Sequence, residues 1–184
     1  KKKYINKNFS LLVLGGSQGA EIFGKIIPFV CKMLKDQGYT ITIYQQCTKI
    51  QKDLIANYYK ENNITNHVFE FERDLLKLMS SSNLAITRCG ASTTAEMVHT
   101  LTPFIGVPLE HSVDNHQYLN AEFYEKRGCC WVLEEKDFNK ENLFNLIIEI
   151  IKNQNKLESV KESMKKNLNK TVYTDIENNI KEFI

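Results

Sequence analysis

Short continuous apolar runs alternate along the chain with longer stretches in which apolar residues recur every three or four positions. The first run is Phe9-Ser10-Leu11-Leu12-Val13-Leu14. A strand covered on both faces is apolar without alternation, so this run predicts a buried strand of a parallel sheet. Residues 20–36 follow with helical periodicity, and Ile22, Ile26, Phe29, Val30, Met33 and Leu34 share one face. Gly38 then stops the helix, glycine being favoured just past a helix end. The β-branched run Thr40-Ile41-Thr42-Ile43-Tyr44 predicts a second strand, residues 49–62 a second helix, and His67-Val68-Phe69-Glu70-Phe71 a third strand. The alternation goes on with a short helix over 74–81, a strand over 84–87, a helix over 93–99 and a strand over 104–107. A helix over 117–127, a last strand over 130–133 and helical stretches over 139–153, 158–167 and 175–184 complete the chain.

Strands alternating with helices predict an α/β fold: a doubly wound parallel sheet with right-handed crossovers, Rossmann-like in plan. The pattern has no internal repeat and reads as a single domain over 1–184, with 1–8 as a linker remnant. Sheets of this kind take ligands at the carboxyl ends of their strands. The loops after Leu14, Phe71, Thr87 and Val107 are therefore the candidates.

Composition narrows the function. The 184 residues are 42% hydrophobic and 25% charged, which is the balance of a globular domain. Twenty-four Lys and Arg stand against 22 Asp and Glu, a net +2, and that speaks against a nucleic-acid binder with one basic face. No apolar run approaches the ~20 residues a membrane span requires. The lysine-rich start has no apolar segment behind it, so it does not read as a secretory signal, and a first residue other than Met points to a chain cut from something longer. The five cysteines, Cys31, Cys47, Cys89, Cys129 and Cys130, are odd in number and form no C-x-x-C pair. Neither a zinc site nor a disulfide framework is expected, and a reducing compartment is.

Three loops carry candidate chemistry. Gly15-Gly16-Ser17-Gln18-Gly19 lies between a strand and a helix. Glycines let backbone approach a ligand closely, and free N–H groups at the following helix start attract an anion, most often phosphate. The same residues also make a tight packing turn. The run is not G-x-G-x-x-G, and Gln45, read as following the second strand, replaces the acid of a dinucleotide fold. The second loop is Arg88-Cys89-Gly90-Ala91-Ser92-Thr93-Thr94-Ala95-Glu96. Amides near residues 91–94 could hold further phosphate oxygens, and Glu96 could accept two ribose hydroxyls. Thr93-x-x-Glu96 is equally a capping box, and spacing alone favours the cap. Cys89 reads as a small buried residue. The third loop, Val107-Pro108-Leu109-Glu110-His111-Ser112-Val113-Asp114-Asn115-His116-Gln117, is dense in side chains that bond sugar hydroxyls. A metal at His111, Asp114 and His116 is the weaker reading, and His67 and His99 read as structural.

Taken together and in this order, the three loops resemble the MurG family of bacterial UDP-N-acetylglucosamine (UDP-GlcNAc) transferases, in its C-terminal, donor-binding half. The resemblance rests on Leu12-Val13-Leu14-Gly15-Gly16-Ser17-Gln18-Gly19-Ala20, on Arg88-x-Gly90-Ala91-x-Thr93-x-x-Glu96, and on Val107-Pro108 followed by His116-Gln117-x-x-Asn120-Ala121. It implies half of a two-domain GT-B glycosyltransferase that binds UDP-GlcNAc and needs no metal or other cofactor. Gly16, Ser17 and Gln18 would face the diphosphate and sugar, and the backbone at Glu72 the uracil. Ala91, Ser92 and Thr93 would lie along the phosphates, Glu96 on the ribose, and His116 and Gln117 on the GlcNAc hydroxyls. The implied reaction is an inverting displacement at the anomeric carbon by the C4 hydroxyl of MurNAc in lipid I, giving lipid II for peptidoglycan. The acceptor site, the catalytic base and a peripheral contact with the cytoplasmic face of the inner membrane would belong to an N-terminal half absent here. This fragment would then bind donor without turnover. Other readings are a stand-alone donor-binding subunit of a two-subunit transferase, a non-transferring nucleotide-binding module and a UDP-GlcNAc 2-epimerase.

Overall fold

The structure, a computed structural model, describes residues 9–16, 20–110 and 112–169. Ser17, Gln18, Gly19, His111, the expected linker over 1–8 and the expected helix over 175–184 lie outside the described residues. Six strands, β1 (Phe9–Leu14), β2 (Ile41–Gln46), β3 (Thr65–Phe69), β4 (Leu84–Thr87), β5 (Phe104–Gly106) and β6 (Cys130–Val132), form one sheet in the order β3-β2-β1-β4-β5-β6. Every pairing is parallel. Helices α1 (Glu21–Asp36), α2 (Lys49–Glu61) and α6 (Lys140–Lys152) cover one face. Helices α3 (Leu75–Ser81), α4 (Ala91–His99), α5 (His116–Glu125) and α7 (Gln154–Asn169) cover the other.

Double cover explains the unalternated strands. In β1, Leu11 and Val13 pack with α1 and α6, while Leu12 and Leu14 pack against the opposite layer beside Met97 and Phe104. Side chains of a strand alternate between faces, so a strand with helices on both sides is apolar at every position. β3, at the sheet edge, is half exposed, and its five residues alternate.

Several boundaries and faces differ from the sequence reading, each for a packing reason. β3 is displaced two residues toward the N-terminus of the expected strand. Its register runs from Thr42↔Thr65 to Gln46↔Phe69, so it ends where its neighbour ends and leaves Phe71 78% exposed. Gln45 lies inside β2, fully buried, and its Oε1 accepts a hydrogen bond from the Tyr59 hydroxyl at 2.5 Å. It does not occupy the place of a dinucleotide acid. On α1 the fully buried stripe is Phe23, Ile27, Val30, Cys31 and Leu34, rotated from the expected face. Phe29 packs on Tyr58 of α2 with Lys140 over its ring, because α1 is wedged between α2 and α6. α4 begins at Ala91, two residues earlier than expected.

Gly106 in β5 marks a close approach: a Cβ there would lie 2.8 Å from the Cys89 Sγ. Gly106→Ala is therefore expected to lower unfolding free energy by about 1–3 kcal/mol, as overpacking does. In a Cys89→Ala background, chemical denaturation should show most of that cost gone. An equal cost in both backgrounds would mean that the close approach to Cys89 is not its source.

Candidate functional site

The chain reverses its winding between β1 and β4, which lie side by side although 69 residues separate the end of one from the start of the other. The loops that follow these strands must diverge to opposite faces, and a crevice opens between them at the carboxyl edge. Here it is a cleft of about 770 Å³ lined by Gly15, Gly16, Glu21, Lys25, Ala91 and Thr93 among others. The two turns are close neighbours. The Arg88 N–H donates to the Leu14 carbonyl at 3.2 Å, and a Cβ on Gly16 would lie 4.0 Å from the Cβ of Arg88. Gly16 has φ +81°, a left-handed conformation that glycine adopts without strain.

Both helix starts reach this cleft. α1 follows Ala20 and α4 follows Gly90, and neither carries a side-chain cap among the described residues. The first N–H groups of a helix have no intrahelical acceptor and carry a partial positive charge. Ala20, Glu21, Gly90, Ala91, Ser92 and Thr93 bring two such sets to one crevice. An anionic group with several oxygens would be matched there by backbone amides, with Lys25 and Arg88 also in the lining.

The capping-box reading of Thr93-x-x-Glu96 is overturned. The N-cap residue is Gly90, which puts Thr93 inside the first turn. It is Thr94 whose hydroxyl donates to backbone, to the Gly90 and Ala91 carbonyls at 3.1 Å each. The carboxylate of half-buried Glu96 makes no hydrogen bond or ion pair within the described residues, although its backbone carbonyl accepts from the Thr100 hydroxyl at 2.8 Å. It stands four residues after Ser92 and three after Thr93, on the same helix face as these cleft residues.

Gln117, near the start of α5, ties the walls together. Its Oε1 accepts from the Cys89 N–H at 3.2 Å and the Leu109 N–H at 3.1 Å. Two backbone donors fix which amide atom is the oxygen, and the NH2 is left as the group available to a ligand. Asn120, one turn on, donates to the Cys89 carbonyl at 3.1 Å. Cys89 is thus held at both backbone groups, and its thiol is buried and pushed up to about 12 by loss of solvation. It stays protonated at neutral pH and is no nucleophile.

The structure brings Gly16, Ala91, Ser92, Thr93 and Gln117 together around the cleft. Glu72, Glu96 and His116 lie outside its lining. Glu72 follows the edge strand, and its carboxylate accepts from the Asp74 N–H at 3.1 Å and meets the His67 ring at 3.2 Å. Those bonds, the backbone one first, hold its carboxyl below the usual range. His116 is the exposed first residue of α5, after Asp114 and Asn115 in left-handed conformation. Among the described residues no three His, Cys, Asp or Glu side chains gather as a metal site.

Glu135 is a wall residue that the sequence reading passed over. It lies in a 3-10 turn after β6 and takes Arg88 in a two-pronged pair: Nη1 to Oε2 at 2.8 Å and Nη2 to Oε1 at 3.1 Å. The loop after the last strand also ends at the carboxyl edge, which was the signal that could have found it.

Comparison with known proteins places the chain in a family. Residues 10–180 match the model of the glycosyltransferase family 28 C-terminal domain. The chain is 38% identical over 167 residues to the UDP-N-acetylglucosamine--N-acetylmuramyl-(pentapeptide) pyrophosphoryl-undecaprenol N-acetylglucosamine transferase of Pelagibacter ubique (strain HTCC1062), covering 89% of this chain and 47% of that protein. The enzyme of the same name from Rickettsia prowazekii (strain Madrid E) is 34% identical over 165 residues, 88% of this chain and 43% of its own. The chain thus spans about half the length of the curated relatives it matches. Among solved structures, Acinetobacter baumannii MurG superposes with a TM-score of 0.78 at 27% identity, over 90% of this chain and 49% of that one. The glycosyltransferase of kitacinnamycin, at 15% identity and a TM-score of 0.64 over 90% of this chain and 41% of its own, shares the fold.

Because the Glu96 carboxylate bonds to nothing within the described residues, Glu96→Ala is expected to leave unfolding free energy within about 0.5 kcal/mol of the parent, as for an ordinary surface change. Denaturant titration would check this. A loss of about 1 kcal/mol or more would restore the capping role.

Proposed function

Since the chain belongs to the glycosyltransferase family 28 C-terminal domain, we propose that it is the donor-binding half of an inverting N-acetylglucosamine transferase. The donor is UDP-GlcNAc, and the product step is transfer of GlcNAc to the C4 hydroxyl of MurNAc in lipid I, making lipid II. The observation that carries this reading is the pair of uncapped helix starts opening on one cleft at the β1/β4 reversal. Such a site suits a diphosphate. Its fixed N–H groups stabilise the charge that develops on departing UDP without rearranging during the reaction.

On this reading Gly16, with Ser17 and Gln18, faces the diphosphate from the first turn, and Ala91, Ser92 and Thr93 face it from the second. Glu96 accepts the ribose hydroxyls, the backbone at Glu72 meets the uracil, and Gln117 with His116 meets the sugar. Lipid I, the base that activates its hydroxyl and a peripheral contact with the cytoplasmic face of the inner membrane are assigned to the length of the relatives that this chain does not span. No helix among the described residues is long and apolar enough to cross a membrane.

Calorimetry tests the reading. UDP and UDP-GlcNAc are expected to bind the chain without added Mg²⁺, and ATP and NAD are not. Preference for ATP or NAD would overturn it. Glu96→Ala is expected to weaken UDP binding by about 1–3 kcal/mol, the cost of removing a charged hydrogen-bond partner. Unchanged UDP affinity would take Glu96 off the ribose.

A further inference from the structure

We propose that the Arg88–Glu135 ion pair is the positioning element for the sugar side of the cleft, an inference that rests on the donor-binding reading above. Arg88 is only 8% exposed and projects from the end of β4, at the point where the sheet reverses. Besides its two bonds to Glu135, its Nη1 donates to the Val107 carbonyl at 3.2 Å and the Pro108 carbonyl at 3.4 Å. Glu135 Oε2 in turn accepts from the Glu110 N–H at 3.2 Å. The pair therefore grips residues 107–110 from both ends, through carbonyls at one end and an N–H at the other. The guanidinium also lies 5.1 Å from the centre of the Phe23 ring of α1, which limits its freedom to turn away.

What the pair holds is one wall of the site. Leu109 lies in the gripped segment, lines the cleft and donates its N–H to Gln117, the residue assigned to GlcNAc. Leu109 and Glu135 also line a second cavity of about 310 Å³ with Tyr118 and Lys136, so they form the partition between the two spaces. The opposite, phosphate side is built differently. Its amides belong to the starts of α1 and α4, whose geometry the helices themselves set. Two planar groups joined by parallel hydrogen bonds fix orientation as well as distance. A lysine supplies the charge but not the fork. Loosening the pair should accordingly disturb sugar recognition and spare the diphosphate.

The test compares UDP with UDP-GlcNAc by calorimetry on the parent chain and on Arg88→Lys, Glu135→Gln and Glu135→Asp. In Arg88→Lys and Glu135→Gln the ratio of UDP-GlcNAc affinity to UDP affinity is expected to fall about tenfold, with UDP affinity itself changed less than about threefold. Glu135→Asp, which keeps the charge at shorter reach, should recover part of the ratio. A ratio that stays unchanged, because both ligands weaken equally or neither does, overturns the proposal and leaves the pair as plain scaffolding. Should Glu135→Gln not fold, Arg88→Lys carries the same comparison, since its buried charges remain balanced. Failure of the parent chain to bind UDP would instead overturn the functional reading, so the two failures are told apart.

Discussion

The pairing of β1 with β4 is the constraint on which the rest of the molecule depends. It runs from Leu11↔Leu84 to Leu14↔Thr87 and is extended past the strands by the Arg88 N–H on the Leu14 carbonyl. Because successive connections leave these two strands toward opposite faces, α1 and α4 start next to each other and then part. This is the one place in the described sheet where the strand order changes direction. The crevice is a product of the winding, and the glycines at 15, 16 and 90 keep side chains out of it.

The division of labour between apolar and polar groups follows. Between the helix layers the sheet is sealed by Leu, Ile, Val, Phe and Met. Polar groups that are buried there are few and mostly bonded, as Gln45 with Tyr59 shows, though the Gln45 Nε2 has no partner. At the carboxyl edge the strand ends can no longer bond to one another, and side chains take over. Gln117 and Asn120 satisfy the backbone of Cys89, and Glu135 satisfies Arg88 and the Glu110 amide. A buried charge left without its partner is costly, so the Arg88–Glu135 pair stays closed and the wall it supports stays in place.

This economy also explains why the amides at the cleft carry no side-chain cap. A helix start near the surface is ordinarily capped by Ser, Thr, Asp or Asn. α4 has Gly90 in that position, and the Thr94 hydroxyl turns back to its own carbonyls instead. Leaving donors unsatisfied lowers stability slightly and leaves them open to an anion. Helix α6, remote from the cleft, shows the ordinary arrangement: the Asn139 side chain accepts from the Asn142 N–H at 2.9 Å.

The fold class was legible in the chain because burial on two faces writes itself as unbroken apolar runs, and Phe9–Leu14 and Leu84–Thr87 needed no partner information to be read. The small-residue turns that follow them were equally visible, since only glycine and alanine let backbone stand open to a ligand. Local spacing could not tell whether Thr93 and Glu96 form a capping box, and only the placement of Gly90 at the helix start ruled the cap out. Nor could it extract Gln45 from solvent, or join Arg88 to Glu135 across 47 residues. Strand register and side-chain pairing depend on what lies beside a residue in space, and sequence order carries that only where neighbours in the chain are also neighbours in the fold.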